Sequence, residues 1–152
     1  MLREELTEAM KAAMRAKDEK ALGTIRMVLA KMKDLDIAAR PAGNADGIND
    51  DQIKAMMQGM IKQRRESIAL YQQGNRQDLV DQESAEIAVI EKFLPQQMDE
   101  AATKDAVAKA IAAVGATSIK DMGKVMGELK KSYTGQMDFA MAGGVVKALL
   151  GG

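Results

Sequence analysis

Residues 49–95 read NDDQIKAMMQGMIKQRRESIALYQQGNRQDLVDQESAEIAVIEKFLP. Apolar side chains recur here at intervals of three or four residues, which is the period of one face of an α-helix. They form two runs on either side of Gly74: Ile53, Met57, Met60, Ile61, Ile68 and Tyr71 in the first, and Leu79, Ile87, Ile90 and Leu94 in the second. The stretch therefore predicts two long helices joined by a tight turn, which is an antiparallel hairpin.

The residues at the ends of these two helices set their predicted limits. Asn49 or Asp50 is expected to cap the first helix, because its side-chain oxygen can accept a hydrogen bond from a free first-turn N–H group. Gly74 suits the left-handed conformation that ends such a helix. Asp78 is expected to open the second helix, which extends to Leu94 just before Pro95.

Two further helices are predicted on the N-terminal side of this hairpin. The first runs from about Leu2 to Ala16, and its apolar residues repeat every four positions: Leu2, Leu6, Met10 and Met14. Asp18 can cap the second helix. That helix ends near Arg40, because Pro41 disfavours helical geometry in the residue before it. Residues 41–47, PAGNADG, have the composition of a loop.

Three shorter helices are predicted after Pro95. Asp99, Ser118 and Asp138 are the expected caps, and Gly115 and Gly135 interrupt the chain between the helices. The sequence thus predicts an all-α protein with two parts. Residues 1–95 form a bundle of four long helices, and residues 98–152 form a compact three-helix domain.

The residue inventory excludes several kinds of chemistry. The chain has 152 residues, with no His and no Cys. It therefore has no thiolate nucleophile, no imidazole base and no metal centre ligated by Cys or His. We predict no catalytic residue, no metal site and no bound cofactor.

The net charge and the hydropathy of the sequence argue against two kinds of partner, nucleic acid bound through bulk charge and a membrane. The 22 Lys and Arg residues balance 22 Asp and Glu residues, so the chain is not expected to coat nucleic acid through bulk charge. No apolar run approaches the roughly 20 residues that span a bilayer. The first residues, MLREEL, lack the apolar core of a signal peptide. We expect a soluble cytoplasmic protein without a membrane partner.

The most distinctive stretch is SIKDMGKVMGELKK, residues 118–131. On a helix, Lys120 and Lys124 lie one turn apart on the same face. Gly123 and Gly127 are also four residues apart and form a smooth groove. Glycine in a helix interior lowers helix stability by about 1 kcal/mol relative to alanine, so the presence of two glycines in one short helix needs a reason. That reason is the close approach either of another helix of the fold or of a ligand backbone such as phosphate and sugar.

This stretch supplies the candidate RNA-binding residues. They are Lys120, Lys124, Lys130 and Lys131, together with Gly123 and Gly127. Each lysine can position a phosphate without reading a base, and the alternative is a solvated helix face. Aromatic residues make up only 3% of the chain, which argues against base stacking. An RNA bound here would be recognised by the shape and backbone of a folded molecule.

A second basic cluster, Lys62-Gln63-Arg64-Arg65, lies in the first helix of the quoted stretch. Glu66, Glu83 and Glu86 can neutralise it, so internal ion pairs are the expected role. The 13 methionines mostly follow the apolar stripes, and we expect them to fill the core. The alternative is a methionine-rich surface for a partner protein.

Five further motifs stand along the chain: Ile25-Arg26-Met27-Val28, Arg65-Glu66-Ser67-Ile68 with Tyr71 and Gly74, Arg76-Gln77-Asp78-Leu79, Phe93-Leu94-Pro95-Gln96-Gln97 and Asp121-Met122-Gly123-Lys124-Val125-Met126-Gly127. Together they resemble the YqeY family, also called GatB/YqeY domain proteins. They span essentially the whole chain in order. Asn75 departs from the family, which often has Gly or Ala there, and this departure concerns only the turn.

The resemblance implies that the C-terminal domain is similar to the tail domain of the B subunit of glutamine-dependent tRNA amidotransferase. That tail contacts the outer corner of tRNA. The family is also associated with carbon–nitrogen ligase activity that uses glutamine as amide donor. The residue inventory and the lack of a GxxxxGK[ST] phosphate loop give no support for catalysis by this chain alone.

Three functions follow, in order of preference. The first is a tRNA-associated accessory protein that binds tRNA through the C-terminal lysines. The second is an adaptor that docks on an amidotransferase or an aminoacyl-tRNA synthetase. The third is a non-catalytic component of a carbon–nitrogen ligase complex.

Overall fold

Every regular element that the structure describes is helical. The computed structural model describes residues 1–43 and 45–151. Its α-helices are α1 (Leu2–Ala16), α2 (Glu19–Ala39), α3 (Asp50–Gln73), α4 (Gln77–Glu91), α5 (Glu100–Val114), α6 (Met122–Tyr133) and α7 (Phe139–Leu150), with 3₁₀ turns at Arg40–Ala42 and Ile119–Asp121. The prediction of an all-α protein is confirmed. None of the described helices combines the length and the apolar content that crossing a bilayer requires.

The chain forms two compact units, each with its own core. The first is Met1–Pro95, and the second begins at Gln96. The core of the first unit consists of Leu2, Leu6, Val28, Met32, Ile48, Ile53, Met56, Met57, Met60, Ile61, Ile87 and Ile90. The core of the second consists of Ala106, Val107, Ala110, Val125, Leu129, Met137, Ala142 and Val146. Burial of each large aliphatic side chain contributes about 1.5–3 kcal/mol, so the stripes that predict the helices also hold each unit together.

Most of the predicted helix caps are confirmed. Asp18, Asn49, Asp99 and Asp138 each accept a hydrogen bond from a first-turn backbone N–H, at the start of α2, α3, α5 and α7 respectively. The cap of α3 is reciprocal, because the Gln52 side chain also accepts from the Asn49 N–H at 2.9 Å. These side chains replace the hydrogen bonds that the first turn of a helix cannot make within itself.

The turn between α3 and α4 differs from its prediction. Gly74 has a φ of −87°, whereas the left-handed residue is Asn75, with a φ of 56°. The N–H of Arg76 donates to the Tyr71 carbonyl at 2.9 Å, and that of Asn75 donates to the Gln72 carbonyl at 3.2 Å. This is the bonding of a Schellman C-cap with Asn75 in the left-handed position. The predicted role of Gly74 is therefore wrong by one residue.

The limits of α4 also differ from the prediction. Arg76 is its N-cap, and Asp78 lies in its first turn. Asp78 instead forms an ion pair with Arg76 at 3.0 Å. Its negative charge also interacts favourably with the positive N-terminal end of the helix dipole. The helix ends at Glu91 rather than at Leu94, because the N–H of Leu94 donates to the Glu91 carbonyl, a 3₁₀-type bond of 3.1 Å. Leu94 still packs on the core of the first unit.

The loop predicted at residues 41–47 is anchored at its far end. Its Asn44 lies outside the described residues. Arg3 donates two hydrogen bonds to Asp36, at 2.7 and 2.9 Å, and Asp36 accepts a third from the N–H of Ile48 at 2.9 Å. A Cβ atom on Gly47, whose φ is 86°, would overlap the Asp36 carboxylate. Helices α1 and α2 thus hold the chain that leads into α3.

Candidate functional site

The start of α6 is organised by a single carboxylate. Asp121 accepts hydrogen bonds from the backbone N–H of Thr117 at 2.9 Å and of Ser118 at 3.3 Å. The bond from Thr117, followed by that from Ser118, lowers the pKa of Asp121, and the charge of Lys124 acts in the same direction. The helix that Ser118 is predicted to cap therefore begins as the 3₁₀ turn Ile119–Asp121 and continues as α6.

The predicted lysines lie in the 3₁₀ turn and on α6. Lys120 is in the turn, and Lys124, Lys130 and Lys131 are on the helix; all four are exposed. Within the described part of the chain, none of these four ammonium groups has a carboxylate within 4.0 Å. The lysines of α5 differ, because Lys104 pairs with Glu100 at 3.2 Å and Lys109 with Asp105 at 3.0 Å. We call Lys120, Lys124, Lys130 and Lys131 the α6 lysine surface.

One face of α6 packs in the core of the second unit, and the opposite face carries exposed lysines. Val125 and Leu129 are 0% exposed and belong to the core of the second unit. At 3.6 residues per turn, Lys124, Gly127 and Lys131 lie on the opposite side of the helix. Gly123 and Lys130 lie along one edge of that exposed side. Lys124, Lys130 and Lys131 therefore lie on the same exposed side of α6 as the two glycines.

The surroundings of Gly123 and Gly127 show whether packing against another helix explains these two glycines. A Cβ atom placed on Gly123 or Gly127 would meet no heavy atom of a neighbouring element within 4 Å. Both residues are exposed. No described helix of the second unit packs closely on either glycine, so the internal-packing alternative is wrong. The approach of a ligand backbone stays a prediction.

The sequence did not single out Lys147, which is exposed on α7. The N–H of Gly151 donates to the Lys147 carbonyl at 2.7 Å, and a Cβ on Gly151 would lie 4.0 Å from Cδ1 of Ile119. The last turn of α7 is therefore next to the 3₁₀ turn that carries Lys120. Lys147 is distant from that turn in sequence, and no pattern in the chain connects the two.

The aromatic residues of the second unit do not form a stacking platform. Tyr133 and Phe139 are half-buried and pack against the core. Base stacking needs exposed rings. The chemistry that this surface offers is therefore positive charge beside smooth helix backbone, which suits phosphate contacts.

The two arginines of the second basic cluster form internal ion pairs, whereas Lys62 is exposed and has no ion pair among the described residues. Arg64 is 12% exposed and donates to Glu86 at 2.9 Å and to the Met60 carbonyl at 3.2 Å. Arg65 pairs with Glu91 at 3.3 Å. The expected role of these two arginines is confirmed.

Glu83 lies beside this ion pair in a less favourable position. Its carboxylate is 3.9 Å from Arg64 Nε. Burial, followed by the charge of Glu86, raises the pKa of Glu83, and Arg64 acts against this rise. The described residues contain no group of three or more acids arranged to hold a metal ion.

Comparison with known proteins identifies the family. The model of the YqeY family, described as Yqey-like protein, matches residues 3–150. The chain belongs to the YqeY family. This result confirms the resemblance drawn from the sequence motifs.

Curated relatives of this YqeY family member include fungal proteins. A protein of Lachancea thermotolerans named altered inheritance of mitochondria protein 41, mitochondrial, is 33% identical over 91 residues, covering 60% of this chain and 46% of the relative. Proteins of the same name from Vanderwaltozyma polyspora and Pyrenophora tritici-repentis are each 31% identical, over 101 and 84 residues. They cover 62% and 55% of this chain, and 52% and 44% of the relatives. The chain thus matches about half the length of these relatives.

Proposed function

We propose that this YqeY family protein is a tRNA-associated accessory protein. Its α6 lysine surface binds backbone phosphates of folded tRNA, and Gly123 and Gly127 let the RNA backbone come close to the helix. The observation that carries the proposal is a set of exposed lysines without an ion pair among the described residues: Lys120 in the 3₁₀ turn, and Lys124, Lys130 and Lys131 on α6. On the exposed side of α6, an added Cβ on Gly123 or Gly127 would meet nothing within 4 Å.

The two units have separate roles in this proposal. Residues 98–152 act as a three-helix domain similar to the tail of the tRNA amidotransferase B subunit. Residues 1–95 act as a four-helix bundle that serves as scaffold or as a surface for a partner protein. An amidotransferase or an aminoacyl-tRNA synthetase subunit is the expected kind of protein partner, and the protein acts in the cytoplasm.

The charge distribution of the chain determines where its affinity for tRNA comes from and how that affinity depends on salt. With a formal net charge of +0, the chain has no bulk attraction for RNA, so affinity comes from the local lysine surface. Each phosphate contact releases counterions and makes binding weaker as salt increases. Without a stacking platform, the surface recognises the backbone of a folded RNA rather than its bases.

The test is tRNA affinity at low salt, measured by fluorescence anisotropy. The double variant Lys120→Ala/Lys124→Ala is expected to bind at least about tenfold more weakly than the unaltered chain. The matched control is Lys104→Ala/Lys109→Ala, which removes the same charge from lysines already paired on α5. The control is expected to bind with little change. Absence of salt-dependent tRNA affinity in the unaltered chain would refute the proposal.

Two other functions compete with tRNA binding. An adaptor role is favoured by the exposed Met27 and Ile37 of the first unit, which are 41% and 47% exposed. No such observation favours a ligase component, because the chain has no His or Cys and no converging acid cluster in its described part. Glutamine-dependent activity that appears only when this chain is added to purified subunits would favour that third function.

A further inference from the structure

One side of α2 is open to solvent although it carries apolar residues. Ile25 and Val28 on the inner side are 4% and 0% exposed, whereas Met27 and Ile37 are 41% and 47% exposed. Gly23 is also exposed, and a Cβ placed there would meet nothing within 4 Å. This helix therefore has an apolar outer surface in addition to the inner one that packs in the bundle.

The residues of this outer side repeat every seven positions. Gly23, Ala30 and Ile37 form one row, and Arg26, Lys33 and Arg40 form a second row beside it; all six residues are exposed. Seven residues are almost two helical turns, so each row runs nearly straight along the helix for about 21 Å. Coiled-coil helices recognise each other through two apolar positions in each heptad with charges beside them. This face offers one small and apolar row with basic residues beside it. We call these six residues the α2 basic face.

Arg26 and Lys33 have no charge partner in the described part of the chain, and Arg40 acts on Asp36 only through its charge, which helps to lower the pKa of that carboxyl. Among the described residues, Arg26, Lys33 and Arg40 have no carboxylate within 4.0 Å. Arginines elsewhere in the same unit differ, because Arg3 pairs with Asp36 at 2.7 Å and Arg64 with Glu86 at 2.9 Å. The bases of the α2 basic face are thus available to an external acidic group.

The other edge of the apolar row is basic as well. Lys20 and Lys31 are exposed there, and neither has an ion pair in residues 1–43 and 45–151. Two exposed acids lie on the outer side: Glu19, seven residues before Arg26 in the same row, and Asp34, between the two edges. The five basic residues Lys20, Arg26, Lys31, Lys33 and Arg40 outnumber them. A second copy of the chain would place basic rows against each other, which is unfavourable. Charge complementarity therefore favours a different, acidic partner.

We propose that the α2 basic face binds an acidic amphipathic helix of a partner protein. Apolar residues of the partner helix, at heptad spacing, pack on Gly23, Ala30 and Ile37. Its acidic residues at the same spacing pair with Arg26, Lys33 and Arg40. This binding site does not depend on the α6 lysine surface, and it assigns a role to Arg26, which the proposed tRNA contact does not use.

The experiment uses the full chain and two synthetic peptides. Each peptide has three heptads with leucine at the core positions; one has glutamate at the flanking positions, and the other has lysine. Anisotropy at low salt measures binding, and hydrogen exchange locates it. The glutamate peptide is expected to bind at least about tenfold more tightly than the lysine peptide and to protect amides of α2.

Variants then assign the binding to this face. Arg26→Glu/Lys33→Glu is expected to weaken binding of the glutamate peptide at least about tenfold, and Ile37→Ser is expected to weaken it as well. The control Lys54→Glu/Lys62→Glu makes the same charge change on α3 and is expected to leave binding intact. Circular dichroism verifies that each variant is folded.

The outcomes separate this inference from the proposed function. Lys120→Ala/Lys124→Ala is expected to keep peptide binding, whatever its effect on tRNA. The inference is overturned if the glutamate peptide does not bind, if it binds no better than the lysine peptide, or if Arg26→Glu/Lys33→Glu has no effect. It is also overturned if Arg26→Glu/Lys33→Glu abolishes tRNA binding and leaves peptide binding unchanged, because the face then belongs to nucleic acid.

Discussion

Asp121 accepts a hydrogen bond from the backbone N–H of Thr117 at 2.9 Å. This bond, together with the one from Ser118 at 3.3 Å, fixes the chain just before α6. Lys120 and Lys124 lie on either side of Asp121 in sequence. One carboxylate thus holds in place the segment that carries the first two members of the α6 lysine surface.

The first prediction concerns this carboxylate. Asp121→Ala is expected to lower the melting temperature and to speed hydrogen exchange at the Thr117 and Ser118 amides, because both lose their acceptor. Asp105→Ala, which removes an exposed ion pair on α5, is the control and should leave those amides protected. Unchanged exchange at Thr117 in the Asp121 variant would contradict the assigned role.

The same bonds predict how the segment responds to pH. The pKa of Asp121 is lowered in the folded state, so its stabilising effect is complete above the ordinary Asp pKa of about 3.9. The effect is lost as the pH falls through the lower folded-state pKa. Amide protection at Thr117 should therefore persist at pH 5 and disappear only in stronger acid.

The second prediction concerns the open glycines of α6. Gly123→Ala and Gly127→Ala should each increase the free energy of unfolding by up to about 1 kcal/mol, because alanine is the better helix former and the added methyl meets no atom within 4 Å. The same methyl groups should weaken tRNA binding, because they stand where the RNA backbone approaches. Denaturant unfolding and anisotropy measure the two effects.

Gly59→Ala is the control for the glycine prediction. Gly59 lies in α3, is exposed, and has nothing within 4 Å of an added Cβ. Its replacement should stabilise the chain by a similar amount and leave tRNA affinity unchanged. If the α6 variants are stabilised and bind tRNA as well as the unaltered chain, the glycines do not serve RNA approach.

Much of the fold is predictable because local chemistry sets most helix starts. The caps of four helices are as expected: Asp18, Asn49, Asp99 and Asp138. A short side chain with an acceptor oxygen, placed just before an apolar run, can accept a hydrogen bond from a free N–H group of the first turn. The Gly74-Asn75 turn is harder, because both residues tolerate the left-handed conformation. The final choice depends on the hydrogen bonds of Arg76 and Asn75 to α3, which the sequence does not display.

The candidate site was partly predictable for a similar reason. The common side of Lys124, Gly123 and Gly127 follows from the helical period, whereas Lys120 lies in the 3₁₀ turn before α6, which that period does not predict. Whether Gly123 and Gly127 face another helix depends on how α6 packs, and only the structure shows that they are open. The nearness of the Lys147 turn to the Lys120 turn is a tertiary contact between elements far apart in the chain.

The third prediction concerns the ion pair between Arg3 and Asp36. Asp36→Asn should lower the free energy of unfolding by about 2 kcal/mol at pH 7, because charge-assisted hydrogen bonds from Arg3 and Ile48 are weakened. Asp34→Asn, an exposed neighbour on the same helix, is the control and should have little effect. Urea denaturation measures both variants.

The acid dependence of this effect has a definite sign. The hydrogen bond from Arg3 is the largest cause that lowers the pKa of Asp36. The stabilisation is therefore present above the ordinary Asp pKa and is lost as the pH falls through the folded-state value. The difference between Asp36→Asn and the unaltered chain should shrink in acid. A difference that is constant with pH would contradict this assignment.

The fourth prediction contrasts two glutamates beside Arg64. Glu86→Gln should destabilise the chain by about 2 kcal/mol at pH 7, because it weakens the 2.9 Å bond from Arg64. Glu83→Gln should stabilise the chain, because the pKa of Glu83 is raised and its charged form is disfavoured on folding. The loss of folding free energy caused by the charged Glu83 carboxylate is complete above its folded-state pKa and disappears in acid, where Glu83 is protonated. Equal destabilisation by both variants would contradict the unequal roles.

The salt dependence of tRNA binding tests the central claim most directly. If the four members of the α6 lysine surface each contact a phosphate, the logarithm of the association constant should fall with the logarithm of the salt concentration with a slope of about −3. Replacement of all four lysines by alanine should bring that slope close to zero. A slope near zero in the unaltered chain, or the same slope in both proteins, would contradict the account.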